Sequence, residues 1–270
     1  MGKLNLIDEL SKLSPVNKIY EELENESEVE NVVGFLPCGD YTDCAHHILN
    51  IGTYLAMQEK NVCIVDAQVF YPCIYRLLDT PFEQKGRGVL KLLRDDRVDI
   101  REEIQKTSID NLYLVSASPF DAMEDYFDID EAAIERMFTS LKEVFDIVLV
   151  NIPNNPPLEF CYVTVKTMSV GFLMWSQRQE CPVNTKRLFH FLNSIGISTA
   201  KLGNVIYCNS GDVSFDISVV NNMGLKLIAN FPYVSQVFDL ALEGKVYIRD
   251  ATFLDKRYKN ALIQLSRVLG

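Results

Sequence analysis

Apolar runs of four to eight residues recur along the chain. Between them lie longer stretches whose apolar positions repeat every three or four residues. The first pattern predicts strands at Val32–Leu36, Asn61–Val65, Leu112–Val115, Ile147–Ile152, Ser169–Trp175, Leu202–Cys208 and Leu225–Ile228. The second predicts helices over 45–58, 71–78, 87–105, 130–143, 183–195, 215–223, 234–243 and 255–269. Several strands are apolar throughout, as expected when both faces of a parallel sheet are covered. Alternating strands and helices imply right-handed βαβ units. The expected fold is therefore α/β: a doubly wound, mostly parallel sheet with helices on both faces. Pro81–Gly86 and Pro119–Ile129 follow neither period and are expected as irregular loops.

Residues 1–30 read differently. Leu4, Ile7, Leu10 and Leu13 recur at helical spacing, Ser14-Pro15 interrupts, and a second stretch runs from Val16 to Leu23. An acidic run of Glu21, Glu22, Glu24, Glu26, Glu28 and Glu30 overlaps it. The pattern predicts a helical leader over 1–30 ahead of a domain over 31–270. It is read either as a solvated lead-in to the first strand, or as a docking segment or the remnant of a lost N-terminal domain.

Composition narrows the partners. With 270 residues, 48% of them apolar, the chain can bury a large core. A formal charge of -11 argues against nonspecific nucleic-acid binding, which needs lysine and arginine to displace counterions. None of the seven cysteines forms a CxxC pair, which predicts free thiols in a reducing cytoplasm. No signal-peptide core follows the first residues, and no apolar run reaches the ~18 residues of a membrane span.

Candidate chemistry is sought beyond the carboxyl ends of the strands, where open parallel sheets bind ligands. The first strand leads into Pro37-Cys38-Gly39-Asp40-Tyr41-Thr42-Asp43-Cys44, then a helix pattern from Ala45. No lysine or arginine occurs between Lys18 and Lys60. A phosphate-binding turn would place a lysine here. Exchanging that lysine for a carboxylate is a swing of up to ~8 kcal/mol at an effective dielectric of about 20, near the whole free energy of a micromolar complex. The helix N-terminus at Ala45 could still meet an anion, or Asp43 could simply cap that helix. Asp66, ending the second strand before Ala67 and Gln68, could hold a magnesium-bound water or cap the next turn. Asn151 stands before Ile152-Pro153, where a carboxylate would serve a metal better; it could equally bond local backbone. Asn209 could read a purine edge or satisfy its own loop, and Phe231-Pro232-Tyr233 follows the last strand.

These strand ends, in this order, resemble the MinD/ParA family of deviant P-loop ATPases, and within it the TadZ/CpaE proteins of pilus assembly. The likeness covers roughly residues 30–270 and rests on linked segments. Among them are Asn50–Ala56, Val65-Asp66 with Tyr71-Pro72, Gly88–Leu90, Leu114–Ala117, Phe145–Pro153, Thr185–Leu188, Ile228–Tyr233 and Gly244-Lys245. The resemblance implies a P-loop NTPase-like fold and a nucleotide site, if retained, at Gly39, Asp40, Tyr41, Thr42, Asp43, Cys44, Ala45, Asp66, Gln68, Asn151, Asn209 and Pro232.

The departures weigh against turnover. The family's opening lysine aligns with Cys38 or Gly39 and its closing lysine with Asp43 or Cys44. Its metal-ligating Ser/Thr aligns with Cys44 or Ala45. Its second-strand D-x-D becomes Asp66-Ala67-Gln68, and its Walker B aspartate becomes Asn151. The expectation is a pseudo-ATPase with no catalytic residue and no metal ligand set, ATP being the only cofactor the resemblance admits. It would act as a scaffold or positioning factor among the proteins of a pilus or secretion machine, with a homodimer compatible with the family. Rival readings are a nucleotide switch that dimerises on ATP without turnover, and a weak ATPase borrowing a lysine such as Lys60. Partitioning of DNA is disfavoured by the charge. The terminal helix Leu254–Leu269 is basic and amphipathic. It suits either peripheral contact with the inner face of a membrane or packing as the last core helix.

Overall fold

A computed structural model of the chain describes residues 29–39, 41–81, 85–155, 157–211 and 215–269. Residues 1–28 of the leader expected over 1–30, and the loop residue Asp40, lie outside the described residues, while Val29 and Glu30 belong to the first strand. Eight strands form one sheet in the order β3-β4-β2-β5-β1-β6-β7-β8. They are β1 (Val29–Pro37), β2 (Val62–Asp66), β3 (Gln105–Lys106), β4 (Leu112–Ser116), β5 (Ile147–Asn151), β6 (Met168–Trp175), β7 (Leu202–Tyr207) and β8 (Leu227–Phe231). All neighbours are parallel except β3, which pairs antiparallel with β4. The doubly wound α/β expectation therefore holds, with one short antiparallel edge added.

The continuously apolar strands divide their side chains between two cores. Val32, Leu36, Val65, Val148, Val150, Leu173 and Trp175 face one layer. Val33, Phe35, Ile64, Leu149, Phe172, Met174 and Tyr207 face the other. This is the two-residue period of a strand buried on both sides. The first layer is covered by α3 (Val89–Arg94), α5 (Glu131–Lys142), α6 (Leu158–Thr167), α7 (Glu180–Ser194) and α8 (Ser218–Asn222). The second is covered by α1 (Tyr41–Ala56), α2 (Ile74–Leu77), α9 (Ser235–Asp239), α10 (Tyr247–Asp250) and α11 (Lys256–Ser266). The short α4 (Ile100–Glu103) lies between α3 and β3.

Several expectations need correction. The helix read over 87–105 is two short helices. Asp95 turns its carboxylate onto the Arg97 N–H, and Asp99 caps α4 by accepting from Arg101 N–H. Such local bonds compete with helical continuation. Residues 158–167 form α6, which was not foreseen. Its valines, threonines and aromatics run into β6 with no glycine or proline between them, so the strand-like composition hid it. The last strand is displaced toward its C-terminus, from 225–228 to Leu227–Phe231.

The terminal helix packs as core. Tyr258, Ala261, Leu262 and Leu265 of α11 are buried, so its apolar stripe faces the sheet and α1 rather than a membrane. No helix among the described residues is long and apolar enough to cross one. All seven cysteines are free thiols; six are buried and Cys208 is half-buried.

Candidate functional site

The turn after β1 is short. β1 ends at Pro37 and α1 begins at Tyr41, four residues earlier than the Ala45 start expected. Only Cys38, Gly39 and Asp40 remain between them, whereas a G-x-x-x-x-G-K-[ST] loop spends about six residues there. The free N–H groups of the helix are consequently those of residues 41–44, not of Ala45. Cys44 and Ala45 are buried in the core under α1. Asp43 lies in the first turn of α1, a favourable place for a carboxylate. It does not cap the helix from outside.

Cys38 points into the opposite core and is 4% exposed; burial pushes its thiol up to about 12. Burial also pushes the Cys44 thiol well above the ordinary range. Both stay neutral. The backbone of the turn is clamped by side chains: Asn184 Nδ2 donates to Cys38 O at 2.8 Å and Asn154 Nδ2 to Gly39 O at 3.0 Å. A Cβ on Gly39 would stand 3.0 Å from Cys181 Sγ and 3.4 Å from Ser176 Oγ. A side chain there would need Cys181 to give by a few tenths of an ångström, because the turn is pressed against the connection between β6 and α7.

Asp66 and Asn151 are register partners across β2 and β5, and their side chains meet on the face toward α1. Asn151 Nδ2 donates to Asp66 Oδ1 at 2.9 Å, and Asp66 Oδ2 accepts from Cys73 N–H and Ile74 N–H, both at 2.9 Å. The buried carboxylate thus caps α2 and ties two strands together. Burial holds its acid above the ordinary value, against the pull of these hydrogen bonds. Gln68 is buried and donates from Nε2 to Ile152 O at 3.0 Å. Asn209 is half-buried; its Nδ2 donates to Asp43 Oδ2 at 2.9 Å and its N–H to Gln177 Oε1 at 3.1 Å. One of the two side-chain N–H donors that could have read a base is thus engaged within the protein. Pro232 is half-buried beyond β8, three strands from β1, or ~14 Å at the usual strand spacing.

The structure therefore gathers Asp43 with Asn209, and Asp66 with Asn151 and the nearby Gln68, into two separate groups of hydrogen bonds. Of Tyr41 and Thr42 only the backbone belongs to the description. Sequence reading missed the strand end that shapes the turn: Ser176, Gln177, Arg178 and Cys181, after β6. Arg178 brings a cation beside the turn, its Cδ 3.9 Å from a Cβ placed on Gly39, and is itself engaged in an interaction. The polar run Ser176–Gln179 directly after an apolar strand was the available signal.

Neither a family model nor a curated protein sequence matches the chain. Solved structures do. The MinC:MinD cell division complex of Aquifex aeolicus superposes with a TM-score of 0.72 at 17% identity, over 88% of this chain and 95% of that one. The cell division ATPase MinD of Pyrococcus furiosus gives 0.71 at 18%, over 88% and 97%. A ParA family ATPase from Chlorobium tepidum gives 0.70 at 12%, over 88% and 98%. At such identities the likeness establishes a fold shared with MinD and ParA structures.

Proposed function

We propose that this chain is a non-hydrolysing MinD/ParA-like protein that acts as a scaffold or positioning factor in a pilus or secretion assembly, in the manner of TadZ/CpaE proteins. The observation that carries the loss of catalysis is the turn at Cys38–Asp40. Phosphoryl transfer depends on positioning and on neutralising charge. In either register the positions of the two family lysines hold a buried neutral thiol, a packed glycine or a carboxylate bonded to Asn209. The position of the metal-ligating hydroxyl is a buried Cys44 or Ala45. Asp66 spends its oxygens on α2 and Asn151. These side chains fit a triphosphate and its magnesium poorly, and Arg178 offsets only part of the deficit.

A protein partner is favoured by the carboxyl edge of the sheet. Tyr71, Phe120, Met123, Phe127, Leu158 and Val183 are all at least 42% exposed and lie in connections leaving β2, β4, β5 and β6. Tyr71, Phe120 and Phe127 are exposed aromatics in these connections and suit a protein interface, with a second copy or with another chain, as MinD has with MinC in the Aquifex complex; Leu242 and Phe253 are more exposed still and lie after β8. The pilus role rests on the resemblance of sequence segments.

Titration of the purified full chain with ATP and Mg²⁺ in a calorimeter, with phosphate release measured in parallel, tests the first part. Neither heat nor release is expected at millimolar ligand. Tight binding without release would establish the nucleotide switch instead. Steady release lost in Arg178→Ala would establish an ATPase. Deletion of the gene should abolish pilus or secretion assembly while leaving DNA segregation intact; a segregation defect alone would overturn the second part.

A further inference from the structure

On the face away from α1, beside the end of β1, a pocket of about 440 Å³ opens between α6 and α7. Its size falls within the ~300–1,000 Å³ of sites that bury a ligand. Leu36, Cys161, Leu188 and Phe191 form an apolar floor, and Leu158 stands at the mouth, 43% exposed. The polar lining is uneven. Asn154 and Asn184 have already given a donor each to the turn carbonyls. Arg187 is exposed at the rim, with no carboxylate partner among the described residues. Lys186 precedes it on the same helix. The pocket therefore asks for an apolar stripe with an acidic flank.

The chain carries such a segment. Leu4, Ile7, Leu10 and Leu13 repeat at the spacing by which an amphipathic helix enters an apolar groove, and Asp8 and Glu9 sit among them. Within residues 3–13 the two adjacent carboxylates stand mid-segment while the lysines, Lys3 and Lys12, stand near its ends, so the charge match to Arg187 is local to Asp8 and Glu9. Reach is sufficient. Val29 begins β1 at the edge opposite the pocket, ~26 Å from Pro37 over this nine-residue strand at ~3.3 Å per residue. Sixteen residues lead from Leu13 to Val29, enough to span ~53 Å when extended.

We infer that the pocket between α6 and α7 is the intramolecular docking site of residues 3–13, with the Leu4, Ile7, Leu10, Leu13 stripe on the apolar floor and Asp8 or Glu9 against Arg187. Tethering makes this favourable for a weak contact, because a linker of matched length supplies a high effective concentration. The docked segment covers the outer flank of the turn at Cys38–Gly39. It does so whether or not nucleotide binds.

The test uses the full chain with a photoreactive benzophenone side chain incorporated at position 7. After illumination, crosslinks are mapped by mass spectrometry in the monomer band. Crosslinks to Leu158–Cys161 or Arg187–Phe191 are expected. Arg187→Glu should lower their yield roughly two- to five-fold, the range for an exposed ion pair, without changing the melting temperature. Leu10→Asp should abolish them. Crosslinks confined to a dimer band would overturn the proposal, since the segment would then bind a second copy. Crosslinks elsewhere, none at all, or a yield indifferent to both substitutions would overturn it equally.

Discussion

Asp66 is a catalytic-looking residue with a structural occupation. Its carboxylate holds three donors away from water, and each would be stranded without it. Asp66→Ala is therefore expected to cost about 3 kcal/mol in urea denaturation, since orphaned buried donors cost 1–3 kcal/mol apiece and partial relaxation recovers some. A loss below about 1 kcal/mol would mean that the network is dispensable. His47, on α1, supplies a second residue-scale prediction. It is packed among Tyr207, Phe231, Phe238 and Tyr258, with Nδ1 3.1 Å from Tyr258 Oη. Burial first, then neighbouring His46, lowers it from 6.5 to about 3. The unfolded chain takes up a proton below pH 6.5 that the native protein refuses. His47 thus contributes stability above that pH which is lost as pH falls from 6.5 toward 3. His47→Phe should flatten stability against pH in this window by up to about 1.4 kcal/mol per pH unit. Asp66 acts with the opposite sign. Its raised acid makes stability fall as pH rises past the ordinary carboxylate value of 3.8. The sequence exposed both choices for Asp66, a metal-water acceptor or a cap. It could not decide, because the donors that settle the matter belong to residues 73, 74 and 151.

At the scale of elements, the turn between β1 and α1 decides most. Cys38 is 4% exposed, packed in the core at the base of the pocket between α6 and α7 and on the face away from α1, so replacing it does not open a phosphate site. Cys38→Lys would force an ammonium into that core. It is expected to destabilise the fold by several kcal/mol, seen as a lowered melting temperature, and to release no phosphate from ATP. A stable variant that hydrolyses ATP would contradict this account of the turn. The same neighbourhood shows why the strands were legible and the helices less so. Apolar runs such as Ile147–Asn151 are long enough to be recognised by composition alone. By contrast, α6 is built from Leu158, Phe160, Cys161, Val163 and Val165, residues that would serve a strand equally well. The helix buries Phe160, Cys161, Val163 and Val165 and is joined to α5 at its surface, where Tyr162 Oη donates to Glu131 at 2.7 Å and Lys166 Nζ to Glu135 at 3.2 Å. The break after α3 was hidden for the converse reason. Lys91, Asp95 and Arg97 read as a solvated helical face, while the turn at Asp95 and the cap at Asp99 are local side-chain effects.

Across the whole molecule, the mostly parallel sheet with helices on both faces followed from apolar runs alternating with helical periods; the order of its strands, with β5 between β2 and β1, did not. The site did not follow as readily. The sequence flagged where cations were missing from one turn, but Arg178 arrives from a strand end 140 residues further on, Asn184 from the helix α7 that follows it, and Asn154 from the end of β5. Their convergence is a property of the crossover connections, invisible to any local window. The burial of the thiols has a practical consequence for anyone handling the protein. A maleimide dye added to the native chain should modify a single position, Cys208, and only slowly, because partial burial raises that thiol too. Unfolding in guanidinium should bring all seven into reach. Intact mass would read the two stoichiometries directly. Early multiple labelling under native conditions would reveal that the sheet's interior opens far more often than its packing suggests. The chain as it stands is thus a single-reporter molecule, ready for fluorescence without engineering.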